Sequence, residues 1–428
     1  MPPNPKYLPP FSLEQQMVLA LVPKFTAIPS IVGSVYIVQH VLRSRKRRQR
    51  TYHRLLALMS AMDFIYAIKV FLSTWINPEG TGYLASGTTQ TCAAAGFLGH
   101  GGSLSSIMYN GSLTLYYLLT IVFSWRLDKV KRIEPLLHGL PLAIGWSTAF
   151  ATLPMDLMNP IGWTCWIGYF PVTCNVNPNL ECTRGINASI YRWAFFHIEL
   201  WLCFLFSAFA MVNIYFRLRK NEIAVKKYEF ESQADRSFEA DRSLDTDEAM
   251  QPPQSGRSLF NRRSTTTRNA TSTRKKYKLS RRFGSQAGFY ILAFFLTWIF
   301  PMIMFVVAEV TGYLLYPLLV ATVVFNPMQG FFNCLIYIRP RYIRNREERR
   351  SQAPSSVGNT PSHAPSHIQC IRNAVELAGT DDEDELEQIE ESDSGKDTTP
   401  QVEKQAGNAV DRTVEWKEQA KATNQTKN

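Results

Sequence analysis

Residues 17–50 read MVLALVPKFTAIPSIVGSVYIVQHVLRSRKRRQR, an apolar run closed by a dense cluster of Arg and Lys. A helix needs about 20 apolar residues to cross the hydrocarbon core of a bilayer. No water reaches that core, so the helix must satisfy its own backbone polar groups. The run 17–42 meets the length. The cluster 43–50 behind it marks a cytoplasmic end, because positively charged loops stay inside. Outward from this stretch the pattern repeats. Further apolar spans lie at 52–76, 92–123, 136–158, 191–218, 284–308 and 313–338. Lys and Arg gather at 43–50, in RLDKVKRIE (126–134), in 219–283 and in IRPRYIRNREERR (338–350). The intervening segments 77–91 and 309–312 carry neither residue, and 159–190 carries Arg184 alone.

This alternation predicts an all-α membrane protein: a seven-helix transmembrane bundle with the N-terminus outside and the C-terminus cytoplasmic. Residues 1–16 form a short extracellular N-terminus, 17–346 the transmembrane domain and 347–428 a cytoplasmic tail. Within the domain, 219–283 is a mostly disordered loop, Ser/Thr-rich and charged from about 235 to 273, with too little apolar surface to build a core. The third span is weakest, since GFLGHGGSLSS (96–106) is rich in small residues. Removing it would put the basic loop 126–134 outside. Small residues also suit a central helix that packs closely on its neighbours. The net charge of +11 is mostly juxtamembrane. It orients helices and meets anionic lipid heads, and it offers no case for nucleic acid.

Of seven cysteines, Cys92 opens the third span at the outer face, and Cys165, Cys174 and Cys182 lie in the outer loop 159–190. That side is oxidising, so disulfides are permitted. The expected pairs are Cys92–Cys165 and Cys174–Cys182, with a free thiol among the four as the alternative. Asn187-Ala188-Ser189 is an outward sequon, which makes Asn187 a candidate glycosylation site. Arg262-Arg263-Ser264-Thr265 has the pattern of a basic-directed kinase site, with Ser264 as the acceptor.

The stretch NPMQGFFNCLIYIRPR (326–341) resembles the seventh helix of G-protein-coupled receptors, in particular the cyclic-AMP-receptor-like and secretin-like groups, at Gln329, Gly330, Asn333 and Tyr337. Asn333-Cys334-Leu335-Ile336-Tyr337 is similar to the Asn-Pro-x-x-Tyr motif of rhodopsin-like receptors, with Cys in place of Pro. RLLALMSAMD, ending at Asp63, resembles a receptor's second helix. Cys165-Trp166 resembles the outer-loop Cys-Trp of these groups, and Asn110 with Tyr116-Tyr117 their third helix. Trp298 and Pro301 resemble the sixth-helix toggle. No Asp-Arg-Tyr ends the third span, where FSWRLDK stands (123–129). The resemblance spans 17–346. It implies a polar core of Asp63, Asn333 and Tyr337, with Asn110, Gln329, Gly330 and Pro301 in the same activation switch.

Ionisable groups inside a membrane are costly and mark function by default. Lys69 either snorkels to the outer surface or pairs with an anionic ligand group, with Glu199 or with Glu309. His100, His197 and Glu199 lie at a depth suited to a ligand pocket, though a lone His is more often a packing residue. With Trp298 and Glu309 they complete the candidate ligand set. No His-x-x-x-His pair points to a metal. Span seven contains no Lys for a retinal Schiff base, so no cofactor is expected. No phosphate loop or nucleophile motif points to an enzyme. The expected function is that of a plasma-membrane receptor. It would bind an extracellular ligand and engage a heterotrimeric G protein through the basic segments 43–50, 126–134 and 219–283. The alternative is a transporter or channel with Lys69, Asp63 and Glu199 along a polar path. The lack of an internal repeat counts against that.

Overall fold

The computed structural model describes residues 11–171, 174, 179–244, 256–311 and 314–352, with side chains described except at 225, 228–229, 231–244, 256–283 and 344–352. The chain begins with α1 (Leu13–Leu42), started by a capping box in which Ser12 and Gln15 satisfy each other's backbone N–H. Pro23 and Pro29 lie inside it. A one-turn helix α2 (Arg45–Arg48) carries the first basic cluster into α3 (Thr51–Leu72), which ends in a 3-10 turn, Ser73–Ile76. Then come α4 (Thr89–Tyr117), closed by a π-helical turn at Leu118–Val122, and α5 (Leu127–Thr152). A two-stranded antiparallel hairpin, β1 (Met158–Pro160) and β2 (Cys165–Ile167), pairs Met158 with Ile167 and Pro160 with Cys165. The short α6 (Ala188–Arg192) passes through a π-helical turn, Trp193–His197, into α7 (Ile198–Leu244). Last come α8 (Gly256–Thr311), α9 (Tyr316–Phe325), a 3-10 turn at Asn326–Met328, and α10 (Gln329–Gln352).

Five described helical stretches are long and apolar enough to cross a membrane: Leu13–Leu42, Thr51–Ile76, Ala188–Ala224, Gly284–Thr311 and Tyr316–Ile343. The third and fourth expected spans, on α4 and α5, are not among them. Gly and Ser dilute α4, while His138 and two prolines dilute α5. Packing explains α4. It touches α3, α5, α7 and α8, and its small residues Gly99, Gly101, Ser103, Ser105 and Ser106 are all buried. A Cβ at Gly101 would stand 2.7 Å from the Trp146 ring. Glycine there is what lets α5 approach.

Polarity is inverted relative to a water-soluble domain. Ser60, Asp63, Ser106, Asn110, Gln329 and Asn333 are buried, while Phe25, Val32, Phe150, Leu202, Phe209 and Leu292 are exposed. A molecule surrounded by water hides such side chains. An apolar rim around a polar centre fits a lipid surround.

Three expectations need correction. The fourth span was expected at 136–158, but its helix occupies Leu127–Thr152. Pro154 lies just past the end, where proline commonly stops a helix, and Met158 belongs to β1. The basic segment 126–134 is accordingly not a loop, since from Leu127 it is the first two turns of α5. The region 235–273 is expected to be disordered, whereas backbone is helical over 235–244 and 256–273. Its composition rules out a core, not a helix. Ala, Glu, Lys and Arg are good helix formers, and a helix leaving the bilayer already has its nucleus. The Glu222–Lys226 pair, 3.1 Å apart at i,i+4, supports the extension. All described residues belong to one compact unit within Met1–Gly358. Residues 1–10 and 353–428, with most of the expected tail, lie outside the described residues.

Candidate functional site

A cavity of about 560 Å³ opens between the β1–β2 hairpin and helices α3, α4, α7, α8 and α9. Its size falls in the range of small-molecule pockets, roughly 300–1,000 Å³. Trp163, Trp166, Phe196, Trp298 and Phe305 line it with aromatic surface. Its roof is held covalently, because Cys92 at the start of α4 is bonded to Cys165 in β2. Cys174 is bonded to Cys182 within the same loop. Trp166, which follows Cys165, packs edge-on against Phe196 and donates its indole N–H to His100 Nδ1 at 3.3 Å. His100 Nε2 lies 3.2 Å from Thr148 Oγ1.

The π-helical turn Trp193–His197 carries Phe196 and His197 to the cavity wall. Such turns insert a residue and often mark functional sites. His197 stacks on Phe305 with ring centroids 3.4 Å apart, and neither of its ring nitrogens has a partner. On α3, Tyr66 and Lys69 are three residues apart and so share a face. Both line the cavity. Lys69 fits because α4 has glycine opposite: a Cβ at Gly99 would stand 2.8 Å from Lys69 Cδ. The Tyr66 hydroxyl donates to Asn326 Oδ1 in the 3-10 turn that interrupts α9 and α10. At the mouth, Arg192 and Glu309 interact electrostatically, and Ser189 Oγ donates to Glu309 Oε1 at 3.2 Å.

From the cavity a chain of hydrogen bonds runs into the bundle. Trp298 Nε1 donates to Gln329 Oε1 at 2.7 Å. Gln329 Nε2 donates to Ser106 Oγ at 3.1 Å. Ser106 Oγ donates to Asp63 Oδ1, and Asn333 Nδ2 donates to Asp63 Oδ2 at 2.9 Å. Four helices, α8, α10, α4 and α3, are thereby joined, and every member is buried. A hydroxyl that both accepts and donates can pass this connection on. In a medium of low polarity each bond is strong, and each lost partner is costly.

A second polar group lies toward the basic end. Tyr337 OH sits 2.9 Å from His40 Nδ1, and Arg341 Nη1 reaches His40 Nε2 at 2.8 Å. Gln286 Nε2 donates to Tyr52 OH at 2.6 Å, and Tyr52 faces Tyr290 OH at 3.3 Å. Glu134 of α5 takes Arg54 Nε at 2.5 Å and Thr51 Oγ1 at 2.9 Å, both from α3. Burial alone would raise the Glu134 pKa, but the hydrogen bonds from Arg54 and Thr51 outweigh it and hold the carboxyl below its ordinary value.

The candidate residues named from sequence therefore separate. Lys69, His197, Trp298, Pro301 and Glu309 line the cavity. His100 does not line it. It is fully buried and orients Trp166. Glu199 is also absent from the lining, and its Oε2 is buried without a partner. Lys69 pairs with neither glutamate and does not snorkel out, for it is only 7% exposed. Asp63 meets Asn333, but Tyr337 lies one turn further on and joins His40 instead. Asn110 donates to Ser106 O of its own helix, at 3.1 Å. The Gly330 N–H donates to Ser30 Oγ at 3.0 Å, an α10–α1 contact. Asn187 is exposed, and the Ser264 side chain lies outside the described residues.

Ser106, Tyr66 and Asn326 were not foreseen. Ser106 is one of several serines on α4, and only the register of α3 and α10 singles it out. Asn326 did leave a signal, as an Asn before Pro inside an apolar run. Among the described residues no cluster of His, Cys, Asp and Glu could hold a metal ion.

No family model matches the chain, and no curated protein matches it. Among solved structures it is similar to the crystal structure of squid rhodopsin, at 11% sequence identity and a TM-score of 0.49, over 88% of this chain and 95% of that one.

Proposed function

We propose that this chain is a G-protein-coupled receptor of the plasma membrane. In this reading seven helical spans cross the bilayer, α4 and α5 included, with the N-terminus and the disulfide-bonded hairpin outside and the basic segments inside. An extracellular small molecule occupies the cavity, and a heterotrimeric G protein docks on the basic face. The observation that carries the reading is the hydrogen-bond chain from Trp298 through Gln329 and Ser106 to Asp63 and Asn333. It begins at a cavity wall and ends in the middle of the bundle, linking the helices that would have to shift. A ligand that contacts Trp298 better in one arrangement than another changes the balance of states by that difference. Movement of α8 against α10 would then open the face formed by 43–50, 126–134 and the ends of α7 and α8.

The test is nucleotide exchange on a panel of G-protein α subunits, using purified receptor in lipid nanodiscs and a metabolite library. At least one ligand should accelerate exchange on at least one subunit. Gln329→Leu should abolish the response while leaving ligand binding within a few fold. A panel with no acceleration, alongside solute flux in proteoliposomes, would replace the receptor reading with that of a transporter.

A further inference from the structure

The charges in the cavity do not balance. Among its lining residues Arg192 and Glu309 interact with each other, and the Lys69 amine is left without a carboxylate partner. Lys69 has no hydrogen bond or ion pair with any described residue, yet it is 93% removed from solvent, being 7% exposed. Its stem is held by the space at Gly99. A second donor is also unused. Asn326 is 6% exposed, its Oδ1 accepts from Tyr66, and its Nδ2 is buried with no acceptor. Asn326 and Lys69 line the same cavity and are linked through Tyr66, one turn from Lys69 on α3. A buried donor without an acceptor is costly, and charging a buried amine without an anion beside it more so. A ligand that supplies negative oxygens removes both costs at once.

We infer that the cavity takes an organic carboxylate, with its anionic head between Lys69 Nζ and Asn326 Nδ2 and its apolar or aromatic body against Trp163, Trp166, Phe196 and Trp298. The inference deepens the receptor reading and rests on it for taking the cavity as the ligand site. Lys69 supplies charge, and Asn326, oriented by Tyr66, supplies direction. The tryptophans select for an apolar body but cannot distinguish an acid from its amide. That discrimination falls to the two donors, since a neutral amide leaves the ammonium uncompensated.

The probes are phenylacetate, indole-3-acetate and decanoate, each compared with its primary amide. Thermal unfolding and equilibrium dialysis are read on the full chain in phosphatidylcholine nanodiscs. At least one carboxylate should raise the unfolding temperature and bind at least tenfold tighter than its amide. Lys69→Gln should erase that preference, Lys69→Arg should retain part of it, and Asn326→Leu should weaken the acid more than the amide. Should Lys69→Gln not fold, the acid–amide comparison on the native chain and on Lys69→Arg decides. Amides that bind as well as acids, a Lys69→Gln protein that keeps the preference, or a set in which no acid exceeds its amide would each overturn the inference. Nucleotide exchange separates the two readings. Lys69-dependent carboxylate binding without exchange on any subunit removes the receptor and keeps the anion site. Exchange driven only by neutral ligands does the reverse.

Discussion

Ser106 shows how one small side chain can hold a site together. Its hydroxyl accepts from Gln329 and donates to Asp63, so it is the only described link between the cavity-facing Trp298–Gln329 pair and the Asp63–Asn333 pair. Ser106→Ala leaves both a buried carboxylate oxygen and a buried amide N–H short of a partner. The expected cost is about 1–3 kcal/mol per orphaned group, seen as a lower unfolding temperature. Ligand binding at the cavity should persist while its coupling to exchange is lost. A Ser106→Ala protein that signals normally would mean that the chain of bonds is a static knot. Gln329 and Asn333 could be named from the sequence because they sit in a stretch with a family resemblance. Ser106 could not, since nothing in a run of Gly and Ser says which hydroxyl meets an aspartate on another helix.

Helix contacts in this chain depend on missing Cβ atoms. Gly330 of α10 lies against Ser30 and Ser34 of α1, where a Cβ would run into Ser34 Oγ and stand 2.6 Å from Ser30 Oγ and 2.9 Å from Ser30 O. Backbone cannot retreat as a flexible side chain does. Gly330→Ala should therefore destabilise by about 1–3 kcal/mol, and pairing it with Ser30→Ala should recover only part, because the Ser34 hydroxyl and the Ser30 carbonyl remain. Thermal unfolding of the single and double variants in nanodiscs measures this. At the basic end, α3 and α5 are joined through Glu134, whose carboxyl is held below its ordinary pKa by Arg54 and Thr51 against the opposing effect of burial. A depressed carboxylate stabilises the fold above its unfolded pKa of about 4.3, and this contribution is lost as pH falls through the lower folded value. Unfolding temperature should thus fall on the acid side of that range, and Glu134→Gln should flatten the dependence there while lowering stability near neutrality. In sequence the basic residues of 126–134 look like a connection, though from Leu127 they form the first turns of α5. The partner of Glu134 there, Arg54 on α3, is visible only in three dimensions.

At the scale of the whole molecule, the disulfide Cys92–Cys165 ties the hairpin over the cavity. Cys92→Ser with Cys165→Ser should lower stability by roughly 2–4 kcal/mol. It should also weaken cavity ligands, because Trp166 would lose its fixed place beside His100. Thermal unfolding and equilibrium dialysis read the two effects separately. Orientation has its own test. If the hairpin loop faces outward, Asn187, exposed at the start of α6, should carry a glycan that N-glycosidase removes with a mobility shift and that Asn187→Gln abolishes. An unglycosylated protein labelled at Cys174 and Cys182, after reduction of their disulfide, only from the cytoplasmic side would invert the topology.

The sequence by itself carried the apolar stretches, though not the limits of the fourth, the alternation of charge between them and the expectation that Cys92, Cys165, Cys174 and Cys182 form disulfides. These follow from hydrophobic length, from charge and from the compartment a loop reaches, all of which are local or additive along the chain. Tertiary structure alone decided that Lys69 lines a cavity while His100 orients a tryptophan and Glu199 lies outside the lining. It also decided that Asp63 meets Ser106 and Asn333 while Tyr337 meets His40. Such assignments depend on the rotation of each helix and on how closely neighbours approach. In this chain those are set by glycines and serines whose own side chains carry almost no signal.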